Sequence, residues 1–544
     1  MWGLLYLLTM AAVLASVVAD TGGRFAYSLD DAYIHLAVAE NLVEHGIWGV
    51  TPYHFSWSSS SLLWTLLLAI LYVPFQSVFV WVPLGVNILI GFALLYIADR
   101  REVFFRLSAE SSSSFVRHLM PGMIVLLGPL PLLTVNGMEH LLHALLTLVF
   151  LREVVLRGVD SDRSAEGTRQ TIVLAMWAMV LGAVRYEAIL LLFAVCAWWL
   201  LRGQWRRAVM VGIAAWIPAA TGGWIAVFHG WEFFPYSVLL KTTPMQMQDQ
   251  GAGIALVKTI LRNGFFVFLP VIAALAAAAR LRTNVPASRT PTGPLSQLRA
   301  WMHSYDKSAI LLLLYTFAVL LHLVVARTGW QGRYEAWFVL TGIILLPLAG
   351  AGAWRQLRVW TKRSAWGKLL LVYVSLNLIG FAGHRLYHWN LLVAGPLSIH
   401  DQQVQMGRFL GEYYNKATVL ANDIGAINVY SDIRCIDFIG LGTKEAGAGY
   451  LHEGVGKRDM IERLERLYQP DIAVLYASWL GGPPPSHWTL CGRWVNPRNM
   501  VGGDETVSFF AFTPGGAERL RHALEAFRSQ LPETVRSEVC ANSP

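Results

Sequence analysis

The chain has 544 residues, of which 55% are hydrophobic and only 14% charged, and its mean hydropathy is +0.46. Soluble globular chains carry about 25% charged residues, so a soluble protein of this length is excluded. The formal net charge of +8 sits mostly in short loops beside apolar runs, which membrane topology explains without a nucleic-acid partner.

Apolar runs of spanning length occur at 2–19, 78–98, 119–135, 141–157, 170–184, 187–201, 208–228, 262–280, 308–326, 336–352 and 367–387. Each approaches the roughly 20 residues that cross the hydrocarbon core as a helix. Residues 1–19 end in Val17-Val18-Ala19, which resembles a cleavage site. No Lys or Arg precedes the run, so an uncleaved first helix is expected rather than a signal peptide.

Basic residues orient these runs. Arg100, Arg101, Arg106 and Arg117 form one loop, and Arg152, Arg157, Arg163 and Arg169 the next. Arg202, Arg206 and Arg207 follow, then Arg280, Arg282, Arg289, Arg299 and Lys307, and last Arg355, Arg358, Lys362, Arg363 and Lys368. Two helices separate each loop from the next, so one orientation makes all of them cytoplasmic. The apolar stretch 61–75 would invert that pattern if it crossed. It is therefore expected as a juxtamembrane or re-entrant helix packed on protein at the outer surface. The fold class is a polytopic α-helical membrane protein with about eleven transmembrane helices, a first external loop over 20–77, and a C-terminal domain outside.

From about residue 388 the composition becomes that of an ordinary folded domain, so residues 1–387 and 388–544 read as two domains. Residues 417–421, 424–430, 434–441 and 471–476 are strand-like, and Lys457–Tyr468 has helical periodicity, which predicts an extracytoplasmic α/β domain. Cys196 reads as a small buried hydrophobe. An oxidising compartment would allow one disulfide among the other three, Cys491 with Cys540 or with Cys435, and the sequence does not choose. No spacing resembles a zinc site.

The unusual polar residues all fall on the predicted outer side. Asp30 and Asp31 follow the first helix, and Asn136-Gly137-Met138-Glu139-His140 joins two others. Arg185-Tyr186-Glu187 lies between two runs with almost no loop. Residues 229–241 carry Glu232, Tyr236 and Lys241, and residues 327–335 carry Arg327, Gln331, Arg333 and Glu335. Ionisable groups this close to hydrocarbon usually face a cavity or a substrate path. The carboxylates Asp30, Asp31, Glu139 and Glu187 suit proton acceptance from a hydroxyl. The cations Arg185, Lys241, Arg327 and Arg333 suit a phosphate leaving group. Each has a structural alternative. The Asp pair suits an N-cap. Glu139 could pair with His140 or His143, and Arg185 with Glu187. Lys241 suits a solvated loop, and Arg327 and Arg333 suit interfacial anchors.

Leu29-Asp30-Asp31-Ala32-Tyr33-Ile34, the segment Ala37 to Gly46 and Ser58-Ser59-Ser60-Ser61-Leu62-Leu63-Trp64 together resemble the first external loop of GT-C glycosyltransferases. The resemblance is nearest to the branch with the mycobacterial terminal arabinofuranosyltransferases. Gly137-Met138-Glu139 resembles a second motif of that branch, and Arg185-Tyr186-Glu187 its Arg-Pro-Glu turn, with Tyr for Pro. Phe234-Pro235-Tyr236-Ser237 to Lys241 resembles its Leu-Pro-Asn-Thr to Lys segment, with Tyr236 for Asn. Asn422-Asp423-Ile424-Gly425 and Asp437-Phe438-Ile439-Gly440-Leu441 resemble its C-terminal domain.

The resemblance implies an inverting glycosyltransferase in a bacterial plasma membrane. Its donor is a polyprenyl-phosphate sugar and its acceptor a glycan, lipid or protein of the cell envelope. Arabinofuranose is suggested by the branch, with mannose or another hexose as the alternative. Asp30 becomes the expected general base and Asp31 its neighbour, turned another way to order Arg185, Arg333 or a metal. A divalent cation is left open. A flippase for a lipid-linked glycan and a non-enzymatic envelope-assembly protein are the rival readings. Related halves with midplane charges would mark the former, and neither feature is evident.

Overall fold

Helix α1 (Trp2–Asp20) buries one stripe, Tyr6, Met10, Val13 and Val17, and leaves Leu4, Leu7 and Leu8 exposed. The same one-sided burial recurs down the chain, with Leu89, Trp224, Phe228 and Ile379 all more than 60% exposed. Apolar side chains on both faces of a helix mark an element surrounded by protein on one side and lipid on the other. The computed structural model describes residues 1–107, 114–158, 165–240, 266–283, 306–326 and 328–540. Among these, seven helices are long and apolar enough to cross a membrane, or eight if Leu119–Leu126 and Leu130–Asn136, bent by 44°, form one span. The larger number expected from sequence includes Ala188–Leu201 and Phe268–Leu281, which are shorter. It also includes His140–Arg157, whose Glu153 pairs with Arg152 and Arg157.

Helix α2 (Asp31–His45) lies in the long loop that follows α1 and ends at Gly46, a left-handed C-cap. Its faces belong to different cores. Tyr33, Leu36 and Ala39 pack in the core of the helical bundle. Ile34 and Val38 pack instead with Met406, Phe409, Val419 and Ile424 of the C-terminal domain. Helix α3 (Leu62–Phe75) starts at Ser61, whose hydroxyl accepts the Trp64 N–H at 3.2 Å. It buries Trp64, Leu68 and Tyr72 and packs against α2 and the helix Ala165–Val184. Through the kinked turn Gln76–Trp81 it runs on into α4 (Val82–Asp99).

The helix Ala365–Ile399 continues through a π-turn, His400–Val404, into Gln405–Tyr413 and so delivers the chain to the C-terminal sheet. The sheet holds β1 (Thr418–Ala421), β2 (Arg434–Asp437), β3 (Ile472–Leu475), β4 (Thr489–Val495), β5 (Thr506–Ala511) and β6 (Arg536–Val539) in the order β2-β1-β3-β5-β4-β6. β1 is parallel to both β2 and β3, whereas β5, β4 and β6 add antiparallel. The period of two sorts side chains to two faces. Val419, Ile472, Val474 and Phe509 join the core shared with α2, whereas Leu420, Ala473, Leu475 and Phe510 pack under the helix Lys457–Tyr468. The strand expected at 424–430 is instead the short helix Ala426–Val429. Its apolar residues face α2 and the helix Gln405–Tyr413 rather than a neighbouring strand.

All four cysteines are free thiols. Sheet order puts β1, β3 and β5 between Cys435 and Cys491, which removes that pairing, whereas Cys540 stands beside Cys491 and donates its N–H to the Cys491 carbonyl at 2.8 Å.

Candidate active site

A strap of extended chain ahead of α2 is pinned from two sides. The Ser28 N–H donates to the Val135 carbonyl at 3.1 Å, and the Gln331 side-chain amide donates to the Ser28 carbonyl at 3.1 Å. Gly137, at φ +69°, closes the turn after Asn136, and a Cβ there would lie 2.3 Å from the Tyr27 ring. Only glycine meets both demands. The loop bearing Gln331 is itself held by a buried ion pair, Arg385 Nη2 to Glu335 Oε1 at 3.3 Å, while Glu335 Oε2 accepts the Gly329 N–H at 2.8 Å. First loop, Gly137 turn and 328–335 loop thus meet at one level.

Asp31 and Arg333 come together at that level. Arg333 Nη1 donates to Asp31 Oδ2 at 2.5 Å and approaches Met138 Sδ at 3.3 Å, while its buried Nε has no partner among the described residues. Both line a cavity of about 210 Å³. Its polar lining is Asp31, Ser60, Arg185, Tyr186, Glu187, Ser237, Arg333 and Tyr334, and its apolar lining Met138, Ile189, Leu190, Val238, Val325 and Ala326. A carboxylate, a guanidinium and an apolar wall in one cavity match a ligand that is charged at one end and lipidic at the other.

Arg185 is saturated by carboxylates. Its Nε and Nη2 donate to the two Glu187 oxygens at 2.9 and 2.6 Å, and Nη1 donates to Glu139 Oε1 at 2.5 Å. Glu139 is fully buried and also faces His35 Nε2 at 3.4 Å and the Ser60 hydroxyl at 3.4 Å. Its partners are therefore Arg185, Ser60 and His35, not His140 or His143. Burial depresses the His35 imidazole below its usual range, against the pull of the Glu139 charge. The other ring nitrogen of His35 faces the Thr65 hydroxyl at 3.0 Å and that of Ser59 at 3.2 Å, which ties the serine run to the Glu139 cluster.

Asp30 faces another way. It occupies the N-cap position of α2 but makes no side-chain cap bond there. Its Oδ2 accepts the Gly425 N–H and its Oδ1 the Ala426 N–H, each at 2.8 Å. Burial first, and then the nearby Asp423 carboxylate, push Asp30 up to about 8, against the stabilising N–H groups of Ala426 and Gly425. Asp423 accepts the Tyr476 hydroxyl at 2.6 Å and the Gln403 amide at 3.1 Å, and burial raises it as well.

Of the remaining residues expected from sequence, Tyr236 is buried against Trp231 and Gly447, with its hydroxyl 3.5 Å from the Lys444 carbonyl, and its neighbour Ser237 lines the cavity. Lys241 and Arg327 lie outside the described residues. Sequence reasoning missed Ser60, Tyr186, Ser237 and Tyr334, although each sits inside or beside a motif it singled out. It also missed Arg385, which is hidden in an apolar run, and Gly425, whose role depends on a partner 395 positions away. Among the described residues, no group of three or more His, Cys, Asp or Glu side chains is arranged to hold a metal ion.

Residues 396–510 match a family described as a domain of unknown function, DUF8728. No curated protein sequence matches the chain. Among solved structures, the chain is similar to ArnT from Cupriavidus metallidurans bound to undecaprenyl phosphate, at 14% identity and TM-score 0.48 over 95% of this chain and 98% of that one. It is also similar to the Archaeoglobus fulgidus oligosaccharyltransferase in complex with Zn and sulfate, at 13% identity and TM-score 0.44 over 92% of this chain and 73% of that one.

Proposed function

We propose that the protein is a GT-C-type glycosyltransferase of a bacterial plasma membrane, moving one sugar from a polyprenyl-phosphate donor to a hydroxyl of an extracytoplasmic envelope acceptor. One observation carries the reading: Asp31, paired with Arg333, lines a cavity that also has an apolar wall of Met138, Ile189, Leu190, Val238, Val325 and Ala326. The carboxylate suits a general base, the guanidinium a phosphate, and the apolar wall the first isoprene units. The motif resemblance in the first loop supports the same chemistry.

In this reading Asp31 takes the proton of the acceptor hydroxyl. The acceptor oxygen forms its bond to the anomeric carbon as the bond from that carbon to the phosphate oxygen breaks. The polyprenyl phosphate leaves with the electron pair, and the configuration inverts. Arg333 holds the departing phosphate, assisted by Lys241 and Arg327. Arg185, already balanced by Glu139 and Glu187, shapes the cavity instead of carrying charge to the phosphate. Asp30, whose two oxygens are both occupied by backbone N–H groups, is an anchor rather than the base. Tyr236 backs the wall behind Ser237.

The test is release of polyprenyl phosphate by the purified protein from polyprenyl-phosphate arabinofuranose and from a hexose donor such as polyprenyl-phosphate mannose. Asp31→Asn is expected to lower the turnover rate by about 10²–10⁴-fold, the range for loss of a general base. Unchanged turnover in that variant would remove Asp31 from the role, and no release from any donor would remove the reading.

A further inference from the structure

We infer that the C-terminal domain is a working part of the catalytic site: the Gly425–Ala426 backbone clamps Asp30 and thereby sets where Asp31 points. The inference rests on the role proposed for Asp31 and adds a positioning function for a distant segment.

Asp30 and Asp31 are consecutive, so immobilising one fixes the backbone that carries the other. The clamp has two hydrogen bonds, Gly425 N–H to Oδ2 and Ala426 N–H to Oδ1, both 2.8 Å. They come from successive residues and hold both carboxylate oxygens, which leaves the side chain no rotational freedom. Approach is close enough to demand glycine. A Cβ on Gly425 would stand 2.1 Å from the Asp30 carbonyl oxygen and 2.6 Å from its Oδ2. The φ of Gly425 is −87°, so contact rather than backbone conformation makes the demand.

The far side of the clamp is tied to the residue that follows β3 and to the π-turn. Asn422 Oδ1 accepts the Tyr476 N–H at 2.8 Å, and Asp423 is held by Tyr476 and Gln403. Ile424 is buried in the core that also contains Ile34 and Val38 of α2. Sheet, clamp and α2 are therefore packed into one core, with Asp31 at its edge facing Arg333. An ordinary docking contact needs none of this. Tyr53 provides the comparison: its hydroxyl reaches Asp432 Oδ1 at 2.6 Å, also between first loop and C-terminal domain, but at an exposed site.

Turnover and donor KM are measured for Gly425→Ala, Asp30→Asn, Asp30→Ala and Tyr53→Phe in the full-length protein, with amide hydrogen exchange at Gly425 and Ala426. Displacing a catalytic group by about 1 Å can cost roughly 10²-fold. Gly425→Ala is expected to lose about that much in kcat while donor KM stays within about threefold, because the cavity wall is untouched. Asp30→Asn keeps one acceptor oxygen and is expected to fall between wild type and Asp30→Ala. Asp30→Ala is expected to lose exchange protection at both amides, and Tyr53→Phe to keep wild-type kcat. Wild-type kcat in Gly425→Ala, retained protection in Asp30→Ala, or an equal loss in Tyr53→Phe would overturn the clamp. Asp31→Asn reads the base assignment separately: its failure leaves the exchange result standing.

Discussion

Asp30 and Asp31 are adjacent and chemically identical, yet their surroundings separate them. One is consumed by two backbone N–H groups, and the other faces a guanidinium at the cavity wall. The same logic governs Glu335 and Arg385, both buried, which hold the loop that presents Arg333. Removing one member leaves an uncompensated charge, so Glu335→Ala is expected to destabilise by about 3–5 kcal/mol. Replacing both by apolar residues, Glu335→Leu with Arg385→Met, is expected to recover most of that loss. Thermal unfolding in detergent reads both, and a double variant no more stable than the single would show that the pair is not what matters. In the C-terminal domain, Asp437 accepts the N–H groups of Ile439, Leu441 and Gly442 at 2.8, 2.6 and 2.8 Å. Burial nevertheless pushes it up to about 6 from 3.8, against those N–H groups. Between about pH 4 and pH 6 the folded domain keeps a proton that the unfolded chain has released. Stability from this group therefore falls as pH rises through that window. The difference in melting temperature between wild type and Asp437→Asn, followed from pH 4 to 7, is expected to change within the window and level off above it.

Elements are placed by what their faces meet. Helix α2 is short and moderately polar for its burial, and its periodicity alone does not reveal two apolar faces with different partners. Ile34 and Val38 complete the core of a domain whose first strand begins at residue 418. Ile34→Ala removes buried methylenes at that junction, for which a loss of about 2–5 kcal/mol is typical. The loss is expected in amide exchange protection of β1 and of Ile424, with the helices of the bundle little affected. Loss confined to the bundle would place α2 with the helices alone. The short helix Ala426–Val429 carries the opposite lesson. Its residues are as apolar as a strand's, yet they pack against α2 and the helix Gln405–Tyr413, and the glycine before it meets the Asp30 carboxyl.

The whole molecule joins an apolar helical bundle to a six-stranded sheet through one continuous helical path from Ala365 to Tyr413 and through α2. Most of the bundle was legible because hydrocarbon imposes a length and a composition on every crossing helix, whatever its neighbours. The strands at 418–421, 434–437 and 472–475 were legible for a similar reason, since a buried strand needs a local run of apolar, β-favouring residues. Asp31, Arg185, Glu187 and Arg333, which line one cavity, also stood out in the sequence, because charge at the ends of apolar runs is costly. Those local requirements are written in the order of the residues and can be read from it. Tertiary structure alone decided that Asp31 meets Arg333 across 302 positions and that Asp30 is held across 395. It also decided that Arg185 is neutralised on two sides. These outcomes depend on distance between segments far apart in the chain, a quantity that no local pattern encodes and only packing supplies.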